Sequence, residues 1–477
     1  MQRYARYLDS LTAQGPAMAD LVKDWVKVSS GSYDITGLAL MAAKLKDAFA
    51  VLGGTMEELA LSPQAAIDAN GKPCALALGK ALRFRKRPDA PIQVFLGIHY
   101  DVVYGHAVPL SENAIAPDRV RPDTTLTNTL PPEVPPMPAG TGISQAIDLT
   151  PSEPGILRAS GAADAKGGLV ILLKALEALE ASPFASRLGW EVLLNPDEEI
   201  GSPGSLPLLK EAAGRNHLGL LFEPSLPDGN LVGARKGSGN YAVVVRGRAA
   251  HAGRDPHLGR NAIHALAEFI VELDRFGRTR PGLTVNVGKV EGGGAVNRVP
   301  DLAIARFNLR ARSHEDREAA EDFLRGMTAS FAVREGYSLD LHGYFSSPPK
   351  PLTDGYLDLL RTVAACGKDL GLDLAWQPSG GVSDGNKLAA AGLVNVDTMG
   401  ATGGGIHGPD EYLVLDSLPE RARLTALLLM RLASGELALP GMKDGPGTGV
   451  SPGEGFPSGA RSAVGGGLAG GGIEKGA

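Results

Sequence analysis

Cysteine is nearly absent, with Cys74 and Cys366 the only two in 477 residues. They cannot supply a disulfide framework and form no Cys-x-x-Cys pair, so they read as small buried apolar side chains. No uninterrupted apolar run reaches the ~18 residues of a membrane-spanning helix, so no membrane association is expected. The first thirty residues mix charged and apolar positions at helical spacing and lack the apolar core of a signal peptide, which makes the cytoplasm the expected compartment. Basic excess is missing too. The net charge is -6 and no basic stripe stands out, which argues against nucleic acid as a partner. What remains is ordinary for a globular enzyme: 43% hydrophobic and 21% charged residues, over a length that calls for more than one core.

Along the chain, residues 1 to about 53 predict two helices around the polar break Ser30-Gly-Ser-Tyr-Asp34. Strands are expected at Cys74–Leu78 and Ile92–Ile98, then a Pro-, Thr- and Asn-rich surface insertion from Val103 to about Pro154. A helix over Lys166–Leu179, a strand over Trp190–Leu194, a helix over Leu206–Ala213 and a strand ending at Phe222 follow. From Tyr241 the order strand, helix (Ala262–Leu273), strands (Thr284–Val290, Leu302–Leu309), helix (Glu315–Phe331) reads as a βαββαβ-like α+β unit. Helix Tyr356–Gly371, strand Leu393–Met399 and helix Leu418–Leu432 close the folded part. After Pro440 the composition is Gly, Pro and Ser, too poor in apolar residues to fold, so a disordered tail is expected.

The most informative feature is the triplet Asp197-Glu198-Glu199, just beyond the apolar run Trp190–Leu194. Consecutive carboxylates at the end of a buried strand need a cation to absorb their charge, or a low-dielectric cleft in which one acts as a base. Other candidate ligands follow apolar runs as well: His99 and Asp101 after Val94-Phe-Leu-Gly-Ile98, and Glu223 after Leu218-Gly-Leu-Leu-Phe222. Asp164 precedes a helical segment and His407 follows a glycine cluster. Imidazoles and carboxylates at strand ends are what a divalent metal site in an α/β enzyme needs.

Seven segments in order resemble the M20 family of metallopeptidases, nearest in pattern to glutamate carboxypeptidase and aminoacylase-like members. They are Gly97-Ile-His99-Tyr-Asp101, Gly161-Ala-Ala-Asp164-Ala-Lys-Gly-Gly168, Asp197-Glu198-Glu199-Ile-Gly-Ser202, Phe222-Glu223-Pro224, His251-Ala-Gly253, Asn297-Arg-Val-Pro-Asp301 and His407-Gly408. The resemblance implies an α/β catalytic domain with a central mixed sheet flanked by helices, in residues 1–233 and 346–438. It also implies an inserted α+β dimerisation domain in residues 234–345, with the tail from 439. Two divalent metal ions are implied, zinc first, with cobalt or manganese as alternatives. His99 and Glu223 would hold one, Glu199 and His407 the other, and Asp164 would bridge them. Asp101 would orient His99, Glu198 would be the general base, and His251 would reach the partner subunit's site in a homodimer. Asn297, Arg310, Gly381 and Ser383 match substrate-binding positions.

The implied activity is hydrolysis of a peptide or N-acyl amide bond next to a free carboxylate, on a small peptide or N-acyl amino acid. The alternatives are a dipeptidase of the same family and a catalytically silent binding protein on the same fold. A silent relative would be expected to have lost a ligand or the base, and none is missing here. Where a glutamate-specific member would carry a further arginine, this chain has Tyr344-Phe-Ser-Ser-Pro-Pro-Lys350. Lys350 is the candidate substitute, although an ammonium lacks the planar fork that binds carboxylate bidentately.

Overall fold

The computed structural model describes residues 1–103 and 153–439. The bulk of the Pro-rich insertion and the Gly/Pro-rich tail expected after Pro440 lie outside the described residues. Three helices open the chain, α1 (Ala5–Ala13), α2 (Gly15–Val26) and α3 (Ile35–Phe49), where the spacing predicts two. Pro16 stands in the first turn of α2, where its missing N–H costs nothing. Asp34 starts α3 by accepting a hydrogen bond from Gly37 N at 2.8 Å.

Strands β1 (Thr55–Ala60), β2 (Gln64–Ile67), β3 (Pro73–Leu76), β4 (Lys80–Lys86) and β5 (Ile92–His99) follow. After β6 (Ile156–Arg158) come α4 (Gly168–Glu180), β7 (Leu188–Asn195), α5 (Leu206–Arg215), β8 (Leu218–Leu221) and β9 (Leu231–Arg235). A βαββαβ unit then runs through β10 (Gly237–Arg246), α6 (Ala262–Thr279), β11 (Leu283–Gly292), β12 (Leu302–Ala311), α7 (His314–Ala332) and β13 (Ser338–Ser347). The return comprises α8 (Asp354–Asp369), β14 (Trp376–Ser379), α9 (Asp384–Ala390), β15 (Asn395–Val396), β16 (Gly403–Gly404), β17 (Tyr412–Val414) and α10 (Ser417–Ser434).

The larger sheet has the order β1-β4-β7-β5-β8-β15. Its β7, β5, β8 and β15 are mutually parallel, and β1 and β4 add an antiparallel edge. Every residue of β7 is buried, which is why it reads as a continuous apolar run rather than an alternation. Helix α4 is apolar on nearly all sides and packs against α10, which in turn meets α1. There Tyr4 Oη lies 2.8 Å from Ser434 Oγ.

The smaller sheet is antiparallel throughout, in the order β11-β12-β10-β13. Side-chain alternation divides its faces. Val243, Val245, Ala303, Ala305 and Phe307 pack on α6 and α7, whereas Val244 and Ile304 turn the other way to meet Ile67 of the β2–β3 hairpin. Arg246 Nη2 donates to Gly71 O at 2.8 Å and Arg306 Nη2 to Ile67 O at 2.9 Å. Gly71 has φ +69°, and a Cβ there would lie 2.6 Å from Val244 Cγ1, so the hairpin tip requires glycine. The strand expected over Leu393–Met399 shrinks to β15, because the backbone beyond it swings to donate from Met399 N and Gly400 N to Leu221 O and Glu223 O. Among the described residues no helix is long and apolar enough to cross a membrane.

Candidate metal centre

His99 is the last residue of β5, level with Asn195 at the end of the parallel β7, and Glu223 lies two residues past β8. The crevice outside the carboxyl ends of parallel strands is where α/β sheets gather ligands, because neighbouring strands end there together. Asp164 comes from an irregular helical turn, Ala162–Gly167, ahead of α4. His407 sits on the glycine turn after β16 at φ +60°, a left-handed conformation rare for a side chain of this size.

Asp164 divides its two oxygens. Oδ1 is 3.0 Å from His99 Nε2, and Glu223 Oε2 is 3.6 Å from the same nitrogen. Oδ2 is 3.3 Å from His407 Nε2, which is 3.2 Å from Glu199 Oε2. Ligand atoms of His99, Asp164 and Glu199 all lie within 4.8 Å of one another. The five side chains thus form two histidine–carboxylate groups sharing one aspartate. One half is closed and the other open: His99 is 1% exposed and His407 is 52% exposed at the side chain.

Hydrogen bonds to backbone hold the ligands. His99 Nδ1 bonds to the backbone carbonyl of Asp101 at 2.9 Å, with the Asp101 carboxylate farther off at 3.4 Å. That carboxylate instead accepts from Glu198 N and Glu199 N, both at 3.2 Å, and from Ser32 Oγ at 2.7 Å. Asp101 therefore orients both the imidazole and the acidic turn. Asp197 folds back to accept from Gly204 N at 2.8 Å, Ser205 N at 3.1 Å and the Ser205 hydroxyl, and so shapes the turn. Glu411, absent from the sequence-based set, accepts from Gly161 N, Ala163 N and Asp164 N at 2.8–3.1 Å. The available signal was a carboxylate four residues past His407, which nothing local separates from Asp410.

Charge is crowded here. Burial and the neighbouring Glu223 hold the Glu198 carboxyl well above its usual range, against the pull of Lys387 and His99. Burial raises Glu199 and Glu223 as well. Asp164 goes the other way: burial opposes its charge, but hydrogen bonds from His407 and His99 outweigh that and keep it ionised. Hydrogen bonds to Asp164 and Glu199 push the His407 imidazole up to about 11. Protons on the imidazoles thus compensate the carboxylates, which is the task a divalent cation performs in such a cluster. The donor set fits: two imidazole nitrogens and three carboxylates suit zinc, cobalt or manganese, and three negative charges nearly balance two dications.

The remaining sequence-predicted residues separate into two groups. Arg310 on β12 donates to Gly380 O at 3.3 Å and to Asn308 Oδ1 at 3.0 Å, which brings it against the Gly380–Gly381 loop. Its neighbours differ: Arg306 reaches the hairpin and Arg312 is exposed. His251 and Asn297 stand side by side on exposed loops, with Ala252 N donating to Asn297 O at 2.8 Å. His251 Nδ1 accepts from Gly253 N and Arg254 N at 3.2 and 3.0 Å, which makes Nε2 the nitrogen that carries a ring proton.

Two assignments change. Ser383 is completely buried; its hydroxyl caps α9 by accepting from Gly385 N and donates to Asp397 Oδ2 at 3.0 Å, so it supports the loop from beneath. Gly381-Val-Ser383-Asp-Gly385 matches the Gly-x-Ser-x-Gly pattern of serine-hydrolase elbows, but this cap bonding to a carboxylate gives Ser383 no nucleophile's environment. Lys350 is also buried, with its ammonium 2.8 Å from Asp397 Oδ2 and 2.8 Å from Asn395 Oδ1. It lies beside Arg235, which grips the same Asp397 oxygen at 2.8 Å, and is fully engaged there, so it cannot stand in for a substrate-binding arginine.

The description "Peptidase dimerisation domain" matches residues 233–333. The chain is 28% identical to carboxypeptidase G2 of Pseudomonas sp. (strain RS-16), over 58% of this chain and 67% of that protein. It is 30% identical to succinyl-diaminopimelate desuccinylase of Stutzerimonas stutzeri (strain A1501), over 56% of this chain and 71% of that protein. The fold is similar to that of Bacillus subtilis YXEP protein, a dinuclear metal-binding peptidase of the M20 family, with a TM-score of 0.56, 15% identity, and 88% of this chain and 99% of that one covered. With a dimerisation domain between two segments that build one histidine–carboxylate cluster, the chain belongs to the M20 family of metallopeptidases and is a metal-dependent hydrolase.

Proposed function

We propose that the protein hydrolyses a peptide or N-acyl amide bond next to a free carboxylate, on a small peptide or N-acyl amino acid. The observation that carries this reading is the Asp164 carboxylate, whose two oxygens face two different histidine–carboxylate groups. When bound there, two divalent ions, zinc or alternatively cobalt or manganese, would acidify the attacking water and polarise the scissile carbonyl. His99, Asp164 and Glu223 would hold one ion, and Asp164, Glu199 and His407 the other. The peptidase and desuccinylase named above support this choice of bond.

Glu198 is the general base. It adjoins a ligand, and its carboxyl is raised by burial, so it can accept a proton from water and hand it to the leaving nitrogen. Arg310, beside the Gly380–Gly381 loop, holds the substrate carboxylate through its planar fork, and Asn297, which stands beside His251, joins it from the partner subunit. Residues 234–345 form the inserted unit, and it pairs two chains into a homodimer. His251 of the partner subunit then stabilises the tetrahedral oxyanion with a hydrogen bond from its Nε2–H. The Nε2–H tautomer of His251 supports that role.

The test is amino-acid release from a panel of N-acyl amino acids and dipeptides, with Zn²⁺ or Co²⁺ and then with chelator. Chelator-sensitive release from one subset is expected and names the leaving group. No release from any member by a protein holding two ions per chain would count against hydrolysis of this bond class and for the silent binding protein.

A further inference from the structure

The turn that carries Glu198 and Glu199 is gripped by a side chain from the far end of the chain. Asp384, at the start of α9, accepts from Asn195 Nδ2 at 2.7 Å on one oxygen. Its other oxygen accepts from the Ser202 hydroxyl and from Lys387 Nζ, the latter at 2.8 Å. Lys387 Nζ also donates to Ser202 Oγ at 3.0 Å. Asn195 ends β7 and Ser202 closes the acidic turn, so one carboxylate ties both ends of the segment that holds Glu198. All four side chains are buried.

Three further observations converge on this pair. Ser202 has φ +55°, a left-handed conformation that its surroundings must enforce. Burial opposes the Lys387 charge, but Asp384 in direct contact, together with the charges of Glu198 and Asp197, holds the ammonium above its usual range. Helix α9 is itself fixed from its other side: Asn386 Nδ2 donates to Lys236 O at 3.0 Å and Pro348 O at 2.8 Å, on the two crossovers to the inserted sheet. A buried Lys–Asp pair is a poor way to gain stability, since apolar residues of similar volume often do as well. What it supplies is a fixed geometry.

We propose that Asp384 and Lys387 are positioning residues that set the place of the Glu198 carboxylate relative to the attacking water. The proposal rests on Glu198 being the general base. It adds residues that touch neither substrate nor metal ligand and act through the turn between Asn195 and Ser202.

The decisive protein is the full-length double variant Asp384→Asn/Lys387→Met, which keeps side-chain volume and removes both partners of the ion pair together, so that neither is left buried without the other. Metal content per chain, kcat and KM are measured on a substrate the wild type cleaves, alongside Glu198→Gln and Lys387→Arg. The expected result for the double variant is a kcat lowered about tenfold or more with KM within about twofold and metal content unchanged, the pattern of a group misplaced only for the transition state. Lys387→Arg, which keeps the charge, is expected to recover part of kcat. A double variant with wild-type kcat while Glu198→Gln is inactive overturns the proposal and spares the base assignment. Wild-type turnover by Glu198→Gln overturns the base assignment itself, and the proposal with it. A double variant that loses metal or melts without cooperativity also overturns it, assigning the pair to the scaffold.

Discussion

In the six-stranded sheet, His99, Asn195 and Glu223 stand at or just past the carboxyl ends of β5, β7 and β8 and are buried. In the four-stranded sheet, His251, Asn297 and Arg312 lie on exposed loops or at a strand's end. Strand direction explains the contrast. Parallel strands end on one side, so residues remote in sequence converge there and can be enclosed. Antiparallel strands return at every turn, so polar residues scatter to both ends and keep their solvent. The inserted unit can therefore contribute to chemistry only through a second surface, either the Gly380–Gly381 loop that Arg310 touches or another copy of the chain.

The largest effect is expected from removing the shared ligand of the parallel sheet. Asp164→Ala should lose both ions and all turnover, and metal analysis of the purified variant checks it; full metal content would break the reading of Asp164 as a bridge. Next comes Glu198→Gln, predicted to lower kcat by about 10²–10⁴-fold with both ions retained, the range for one general base. His251→Ala probes the antiparallel side. It should cost about 10²–10³ in kcat, the worth of one oxyanion donor. Mixing it with a Glu198→Gln partner should restore some activity if the donor crosses between chains, and strict inactivity of the mixture would refute the crossing. Arg310→Lys is smaller, an increase in KM of about tenfold, or 1.4 kcal/mol, with kcat little changed; an unaltered KM would remove Arg310 from substrate binding. Last, Phe269→Ala in the core of the inserted unit should destabilise by about 3–5 kcal/mol while metal affinity stays the same, as calorimetry and metal titration would show.

What was legible in the sequence follows the same division. Strands β5 and β7 stood out because burial on both faces makes them largely apolar runs, and the strand–helix–strand–strand–helix succession gave a βαββαβ-like order although its closing strand β13 was not placed. The edge strand β1 and its neighbour β4 escaped notice because Glu57, Glu58, Arg83 and Arg85 pair with each other or with other charged groups across a half-exposed surface and leave little apolar signal. The metal-ligand candidates were legible as carboxylates and imidazoles after apolar runs, together with a family resemblance. Glu411 and Lys387 were not. The backbone amides that Glu411 holds and the serine that Lys387 reaches lie between about 185 and 250 residues away, and no local pattern encodes a hydrogen bond across that separation; the nearby Asp384 of Lys387 reads as an ordinary i,i+3 pair on a helix. Ser383 and Lys350 misled for the converse reason, because a polar residue in a glycine- or proline-rich run looks the same whether it faces a ligand or a buried aspartate.

The packing of α4 against α10 bears on how the molecule is made. Ten of the thirteen residues of α4 are buried, and much of what covers them arrives only with residues 417–434. Until they leave the ribosome that greasy helix lacks its most extensive partner, although α1, α2 and β5 already cover part of it, whereas the core of the inserted unit draws only on residues 241–345 and is free to fold first. The half that carries the metal-ligand candidates is thus the half whose core closes last.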